Sequence, residues 1–176
     1  MKKFEFTGET KTINLLFRTA TLHRIKAVVE FGLVKVGDLG GWIEKEENLS
    51  HEGKAWVWGN AEVWGNAKVC GDAEVCGDAE VWGNAEVCGD AEVFSASHVL
   101  VIGAIGSRDD FTTFFRDKDN EITVKCGCFL GKIDKFLEKV TQTHGDSKYA
   151  LVYRAAVEVA RLQIDLSGEA PKDADE

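Results

Sequence analysis

From Val57 to Glu92 the chain reads VWGNAE, VWGNAK, VCGDAE, VCGDAE, VWGNAE and VCGDAE, six consecutive hexads with no insertion. A strict six-residue period excludes an α-helix as its cause, because 3.6 residues per turn would scatter the valines over the whole surface. The period suits a short strand followed by a corner. Valine points into the wall, the next residue points out, Gly-Asn or Gly-Asp turns, and the small alanine points back in. Glycine and Asn/Asp tolerate positive φ and belong at such corners. Stacked turns of this kind predict a β-helix.

The phase extends in weaker form on both sides of the hexads. Gly53 and Ala55, Leu33 and Leu39, and Ile43 and Leu49 fall on repeat positions, as do Val93 and Ser97, so the repeat is expected to run from Leu33 to His98. The pairs Val57/Ala61, Val63/Ala67, Val69/Ala73, Val75/Ala79, Val81/Ala85 and Val87/Ala91 match the aliphatic-x-x-x-small-x pattern of hexapeptide-repeat proteins. The sequence resembles that family, over about a third of the chain. The resemblance implies a mainly β fold, a left-handed parallel β-helix with three hexads per coil. Residues 18 apart would then stack: Trp64 over Trp82, Cys70 over Cys88, and Trp58, Cys76 and Phe94 in a third column. Stacked indoles make a poor surface to leave in water. The family is usually trimeric, so the resemblance implies a homotrimer with Trp58, Trp64, Trp82 and Phe94 at its interface. Asp72 over Asp90 and Glu74 over Glu92 put like charges one layer apart. This edge is expected to be solvated, with a bound oxygen-ligand cation as the alternative.

Residues 1–36 carry seven Lys/Arg and three acids. Ile13–Arg18 and Ile25–Phe31 read as strands of a hairpin that starts and caps the repeat, covering its open edge. The phrase Gly40-Gly41-Trp42-Ile43 followed by hexads resembles the head of prophage-encoded hexapeptide-repeat proteins, which implies a cytoplasmic protein of an infected or lysogenic bacterial host. Residues 37–98 form the repeat, and 99–166 read as a small α+β domain. That domain is expected to hold a strand from Val99, two strands at Phe111–Arg116 and Glu121–Cys126 joined by a turn, and amphipathic helices at Lys132–Thr143 and Ser147–Ile164. Its helices carry apolar Ile133, Phe136, Leu137 and Val140, then Tyr149, Val152, Tyr153, Ala156, Val157, Ala160 and Ile164. Residues 167–176 read as a mobile acidic tail.

The 176 residues carry net charge −9, 44% hydrophobic and 29% charged residues, the composition of a globular chain rather than a disordered one. No apolar run reaches the roughly 20 residues of a membrane span, so no membrane partner is expected. Met1-Lys2-Lys3-Phe4-Glu5 lacks the apolar stretch of a secretory leader, a further reason to expect a cytoplasmic location. Five cysteines in that compartment are expected to be free thiols. The acidity lies in Gly37–His98, which holds three lysines and thirteen acids. Such a surface argues against a nucleic-acid polymer as partner. It does not argue against a small phosphate held by the flanking segments.

Chemistry has few places to sit. In Gly103–Asp110 the glycines expose N–H groups, Ser107 offers a hydroxyl and Arg108 a planar fork for phosphate or carboxylate. Arg116 and Thr112, or Thr113 in its place, on the next strand are expected to converge with this loop, with His144 nearby, as a ligand-binding site. Cys126-Gly127-Cys128 lacks the ligand number and spacing of a zinc site, and no metal or other cofactor is expected. His144-Gly145-Asp146 is explained by a helix C-terminus. The expected function is therefore a non-enzymatic, oligomeric, phage-type protein that binds a small anionic ligand. Its concrete form is sequestration of a nucleotide immune signal of the host, with aromatic rings on the base and arginine on phosphate. The alternatives are a structural scaffold and a hexapeptide-repeat acyltransferase using His98 or His51, the latter disfavoured because the regular hexads hold no histidine and no inserted loop.

Overall fold

The computed structural model describes residues 1–16 and 18–168. An antiparallel hairpin comes first, β1 (Phe4–Asn14) and β2 (Thr19–Ala27). Its turn is closed by the Leu15 N–H on the Arg18 carbonyl, inside the segment expected to be strand. Ala20, Leu22, Ile25 and Ala27 of β2 are buried, and β2 pairs antiparallel with β3 (Leu39–Ile43).

Each hexad then contributes only two paired residues and spends the rest on a corner. The resulting strands are β4 (Trp56–Val57), β5 (Glu62–Val63), β6 (Lys68–Val69), β7 (Glu74–Val75), β8 (Glu80–Val81), β9 (Glu86–Val87) and β10 (Glu92–Val93). They pair in parallel with the strand 18 residues on, Val57 with Val75 with Val93, Val63 with Val81, and Val69 with Val87. The hexad valines and alanines are at most 1% exposed, so the inward methyl groups form one apolar interior. The corners need glycine twice over: Gly71 sits at φ +71°, and a Cβ there would lie 2.7 Å from the Gly89 backbone nitrogen.

These ladders correct the expected fold class. The structure is mixed rather than mainly β, with small sheets of mostly two-residue strands and two helices, and a left-handed parallel β-helix is not shown. Among the described residues there is no closed or solenoid sheet. The reason lies in the corners, which turn the chain every six residues so that only two residues per hexad pair as strand, even though corner N–H groups such as those of Asn66 and Asp72 still donate to the carbonyls of Gly83 and Gly89. The strands therefore join only the ladders β3-β5-β8, β4-β7-β10 and β6-β9, and the first of these is continued by the hairpin.

After Val93 the repeat ends and β11 (Val99–Ile105), β12 (Asp110–Arg116), β13 (Ile122–Cys126) and β14 (Phe129–Lys132) form an antiparallel sheet in that order. Sequence periodicity had not separated β14 from the following helix, α1 (Ile133–His144), which α2 (Lys148–Gln163) joins on the same face. Adjacent residues of β12 divide two cores. Phe115 faces the hexad interior and Phe114 faces the helices, each with no exposed surface. The sheet is stitched to the hexads by the Glu86 N–H on Thr113 Oγ1 (3.0 Å) and the Lys118 N–H on the Asp90 carbonyl (3.0 Å). Most of the expected acidic tail, residues 169–176, lies outside the described residues. No helix among the described residues is long and apolar enough to cross a membrane.

The expectation of five free thiols is also corrected. Cys70 and Cys88 form a disulfide, because stacking brings their Cα atoms to 4.6 Å, within disulfide reach. Cys76, Cys126 and Cys128 are free.

Candidate functional site

Where the four-stranded sheet docks on the β6–β9 ladder, a cleft of about 450 Å³ opens. One wall is a corner row. Lys45 Nζ donates to Asn66 Oδ1 (3.3 Å), and Asn66 Nδ2 donates to Asn84 Oδ1 (3.3 Å), the two amides lying 18 residues apart. Lys68 stands beside them on β6. It is the one lysine among the sixth residues of the six hexads, where the other five carry Glu. The opposite wall is β12 and β13, with Asp110, the half-exposed ring of Phe111, Thr113, Lys125 and Gly127.

Charge in this cleft is uneven in a useful way. Lys125 is committed, paired with Glu86 (3.3 Å) and donating to the Gly127 carbonyl. Among the described residues Lys45 and Lys68 make no ion pair, and neither does the exposed Arg108 at the rim. Arg108 reaches Gly127 so closely that a Cβ there would lie 3.0 Å from its Nη1. Glu47 and Asp110 complete the lining as acids. Residues 37–98 hold only three lysines, Lys45, Lys54 and Lys68, and two of them line this cleft.

A second cleft, about 490 Å³, has the opposite character. Trp56 and Trp58 line it with Asp72, Glu74, Asp90 and Glu92. Burial raises the Glu74 pKa, and the Glu92 carboxylate one layer away adds to the rise. The same groups, after burial itself, push the neighbouring Cys76 thiol up to about 11. The stacked aspartates are answered by lysines, Lys54 to Asp72 and Lys118 to Asp90, both at 3.9 Å. Four acids against two lysines leave this cleft net acidic.

The residues singled out from sequence are only partly brought together. Ser107 and Arg108 lie exposed on a short 3-10 turn, Gly106–Arg108, beside the first cleft. The neighbouring glycines serve packing rather than ligand contact. A Cβ on Gly103 would meet Phe111 at 2.4 Å, and one on Gly106 would meet Tyr153 Oη at 1.9 Å. Thr112 is buried on the helix side, donating to Cys126 Sγ (3.3 Å). Alternation along β12 puts Thr113 in the cleft instead. Cys126 in turn lies 3.9 Å from Tyr153 Oη, whose pKa is pushed up to about 12 by burial and by that thiol. Arg116 is 2% exposed at the far end of the strand. It stacks on Phe94 (4.4 Å) and donates to Asn120 and to the Gly168 carbonyl (3.0 Å), so it is a structural tie rather than a partner of Arg108. His144 packs against Tyr149 and Tyr153.

The remaining histidines are engaged as well. His98 is 2% exposed, and its Nδ1 accepts the Phe94 N–H (3.3 Å); burial and then Arg116 lower its pKa. His51 Nδ1 accepts the Lys3 N–H (3.1 Å) and its ring stacks on Phe4, with its pKa lowered chiefly by burial. Of the expected interface aromatics, Trp58 packs on Trp56 and Phe94 lies under Arg116. Trp64 and Trp82 stack at 5.3 Å, with Trp82 55% exposed. Asp117, Asp119 and Glu121 gather their carboxylates within 4.8 Å, but Lys132 Nζ already sits among them at 2.6, 3.4 and 2.8 Å.

Sequence reasoning missed Lys45, Asn66, Lys68, Asn84 and Lys125, and of its two alternatives on β12 the structure favours Thr113 over Thr112. The break from Glu to Lys in VWGNAK could have pointed to Lys68; the others carry no such signal. No known family model matches the chain, and no curated protein matches it.

Proposed function

We propose that this chain is a binding protein for a small anionic molecule, held in the cleft between the hexad ladder and the four-stranded sheet. The observation that carries this reading is the pair of lysines without carboxylate partners, Lys45 and Lys68, in one cleft of a chain whose net charge is −9, with unpaired Arg108 against Gly127 at its edge. A nucleotide fits the mixture best. Phosphate would meet Lys45, Lys68 and Arg108, and the base would lie on Phe111. The Asn66 and Asn84 amides with Glu47 and Asp110 would meet ribose hydroxyls and base edges. Sequestration of a host nucleotide signal, the phage-type role the N-terminal phrase suggests, is the biological form of this reading.

Calorimetry tests it. Linear, cyclic and ADP-ribose-type nucleotides are titrated into the protein, with inorganic phosphate as the control. At least one nucleotide should bind with recovery of unmodified ligand after denaturation. Lys68→Glu should weaken it by tenfold or more while leaving the melting temperature in place. No heat from any nucleotide, or binding indifferent to Lys68→Glu, overturns the proposal.

A further inference from the structure

The net acidic cleft differs from a solvated acidic edge in what its walls leave unsatisfied. Trp56, Glu74 and Glu92 are cross-strand partners in the β4-β7-β10 ladder, so an indole and two carboxylates stand in successive layers of one face. Such layers lie ~4.8 Å apart. At the corners Lys54 reaches Asp72 and Lys118 reaches Asp90, but among the described residues no cation pairs with Glu74 or Glu92. Both glutamates are half-buried. Like charges on directly opposed residues repel unless something positive lies between them.

The aromatic wall gives a second, independent sign. Trp56 is 1% exposed and is held edge-on by Phe31 at 5.4 Å and by Trp58 at 6.4 Å. Both indoles line the cleft, and neither Nε1–H has an acceptor among the described residues. Buried donors in folded proteins are nearly always paired, so two orphans on one cleft call for an occupant. The cleft thus lacks a cation for its carboxylates and an acceptor for its indoles. A metal ion meets neither need well. Among the described residues three carboxylates gather within 4.8 Å of one another only at Asp117, Asp119 and Glu121, whereas this cleft opens to about 490 Å³.

We infer that this cleft binds a hydroxylated organic amine of about the size of an amino sugar. Its ammonium group bridges the Glu74 and Glu92 carboxylates and meets the electron-rich indole of Trp58. Its hydroxyl oxygens accept from the indole N–H groups of Trp56 and Trp58, and the apolar side chains of Leu33 and Val34 close the edge. A concave site with an aromatic wall and a few convergent polar groups is the usual form of a small-molecule pocket. This ligand carries the charge opposite to that suited to the lysine cleft, so the two assignments stand or fall separately.

Calorimetry and tryptophan fluorescence test the inference. Glucosamine, galactosamine and ethanolamine are titrated into the full chain. Glucose serves as the sugar without the amine, ethylamine as the amine without a hydroxyl, and calcium chloride as the metal alone. At least one hydroxylated amine should bind and change the tryptophan emission, and its control lacking the amine or the hydroxyl should bind at least tenfold more weakly. Glu74→Gln combined with Glu92→Gln keeps the side-chain shapes and removes the charges. It should weaken the amine tenfold or more while leaving the melting temperature unchanged or higher, since a like-charge pair has gone. Lys68→Glu, in the other cleft, should leave amine binding as it is. The inference is overturned by an absence of heat from all three amines, or by binding that survives the double glutamine variant. Glucose or ethylamine binding as well as the hydroxylated amine overturns it too, as does calcium binding more tightly than any amine and lost in the same variant.

Discussion

Asp117→Asn removes the group that organises the β12–β13 turn and, through it, the seat of the sheet on the hexads. Asp117 is 2% exposed. Its Oδ2 accepts from Thr123 Oγ1 and Lys132 Nζ, both at 2.6 Å, and its Oδ1 accepts the Asp119 and Glu121 N–H groups at 3.0 and 3.2 Å. The next residue, Lys118, donates its N–H to the Asp90 carbonyl, so the turn is also the docking point. Asparagine keeps the shape but turns one oxygen into an NH₂ that faces two donors. Two charge-assisted hydrogen bonds are lost, at about 1.5–3 kcal/mol each. Lys132 is 40% exposed and recovers part of this through water and its other carboxylates, which leaves a net cost of about 3 kcal/mol.

The pH dependence has a definite sign. Burial works to raise the Asp117 pKa, but the hydrogen bonds from Lys132, Thr123 and the two backbone N–H groups outweigh it, and the folded value is lowered. Its contribution is therefore complete above the unfolded value of about 3.9 and is lost as pH falls from there through the folded value. Urea unfolding of wild type and variant at pH 7 and in steps below pH 4 checks this. The stability gap should be about 3 kcal/mol at pH 7 and should close with acid. A gap under about 0.5 kcal/mol at pH 7, or one that does not narrow in acid, refutes the reasoning.

Replacing Cys70 and Cys88 together by serine opens an 18-residue loop and should lower stability by about 3 kcal/mol under oxidising conditions, with no difference from wild type in excess reductant. Alkylation of the denatured, unreduced protein should label three of the five cysteines, and mass spectrometry reads the count. Burial lowers the Lys3 pKa to about 8, so below that pH its charged form weakens the fold. The unfolded chain binds the extra proton between about 8 and 10.5, so stability should rise over that window by up to roughly 2 kcal/mol between pH 8 and 9.5. That rise should be missing in Lys3→Met melts.

The hexads alone determined the spacing of the inward valines and alanines, the 18-residue stacking and the corner glycines, because a six-residue period leaves one way to keep small apolar groups on the inside. Helical periodicity likewise located α1 and α2 to within a residue or two. Sequence did not determine how the short strands are hydrogen-bonded into separate ladders, and although it stacked Cys70 over Cys88 it read both as free thiols rather than as a disulfide. The candidate cleft was legible only as a loop, Ser107 and Arg108, and as one irregular lysine. Which face of β12 reached it depended on the sheet docking with Phe115 toward the hexads, and this turned Thr112 and Arg116 away. The free cations of Lys45, Lys68 and Arg108 come from segments up to 63 positions apart. Only the tertiary structure brings them around one cleft, because pattern fixes which way a side chain points from its own backbone, whereas packing of the two cores fixes what it meets.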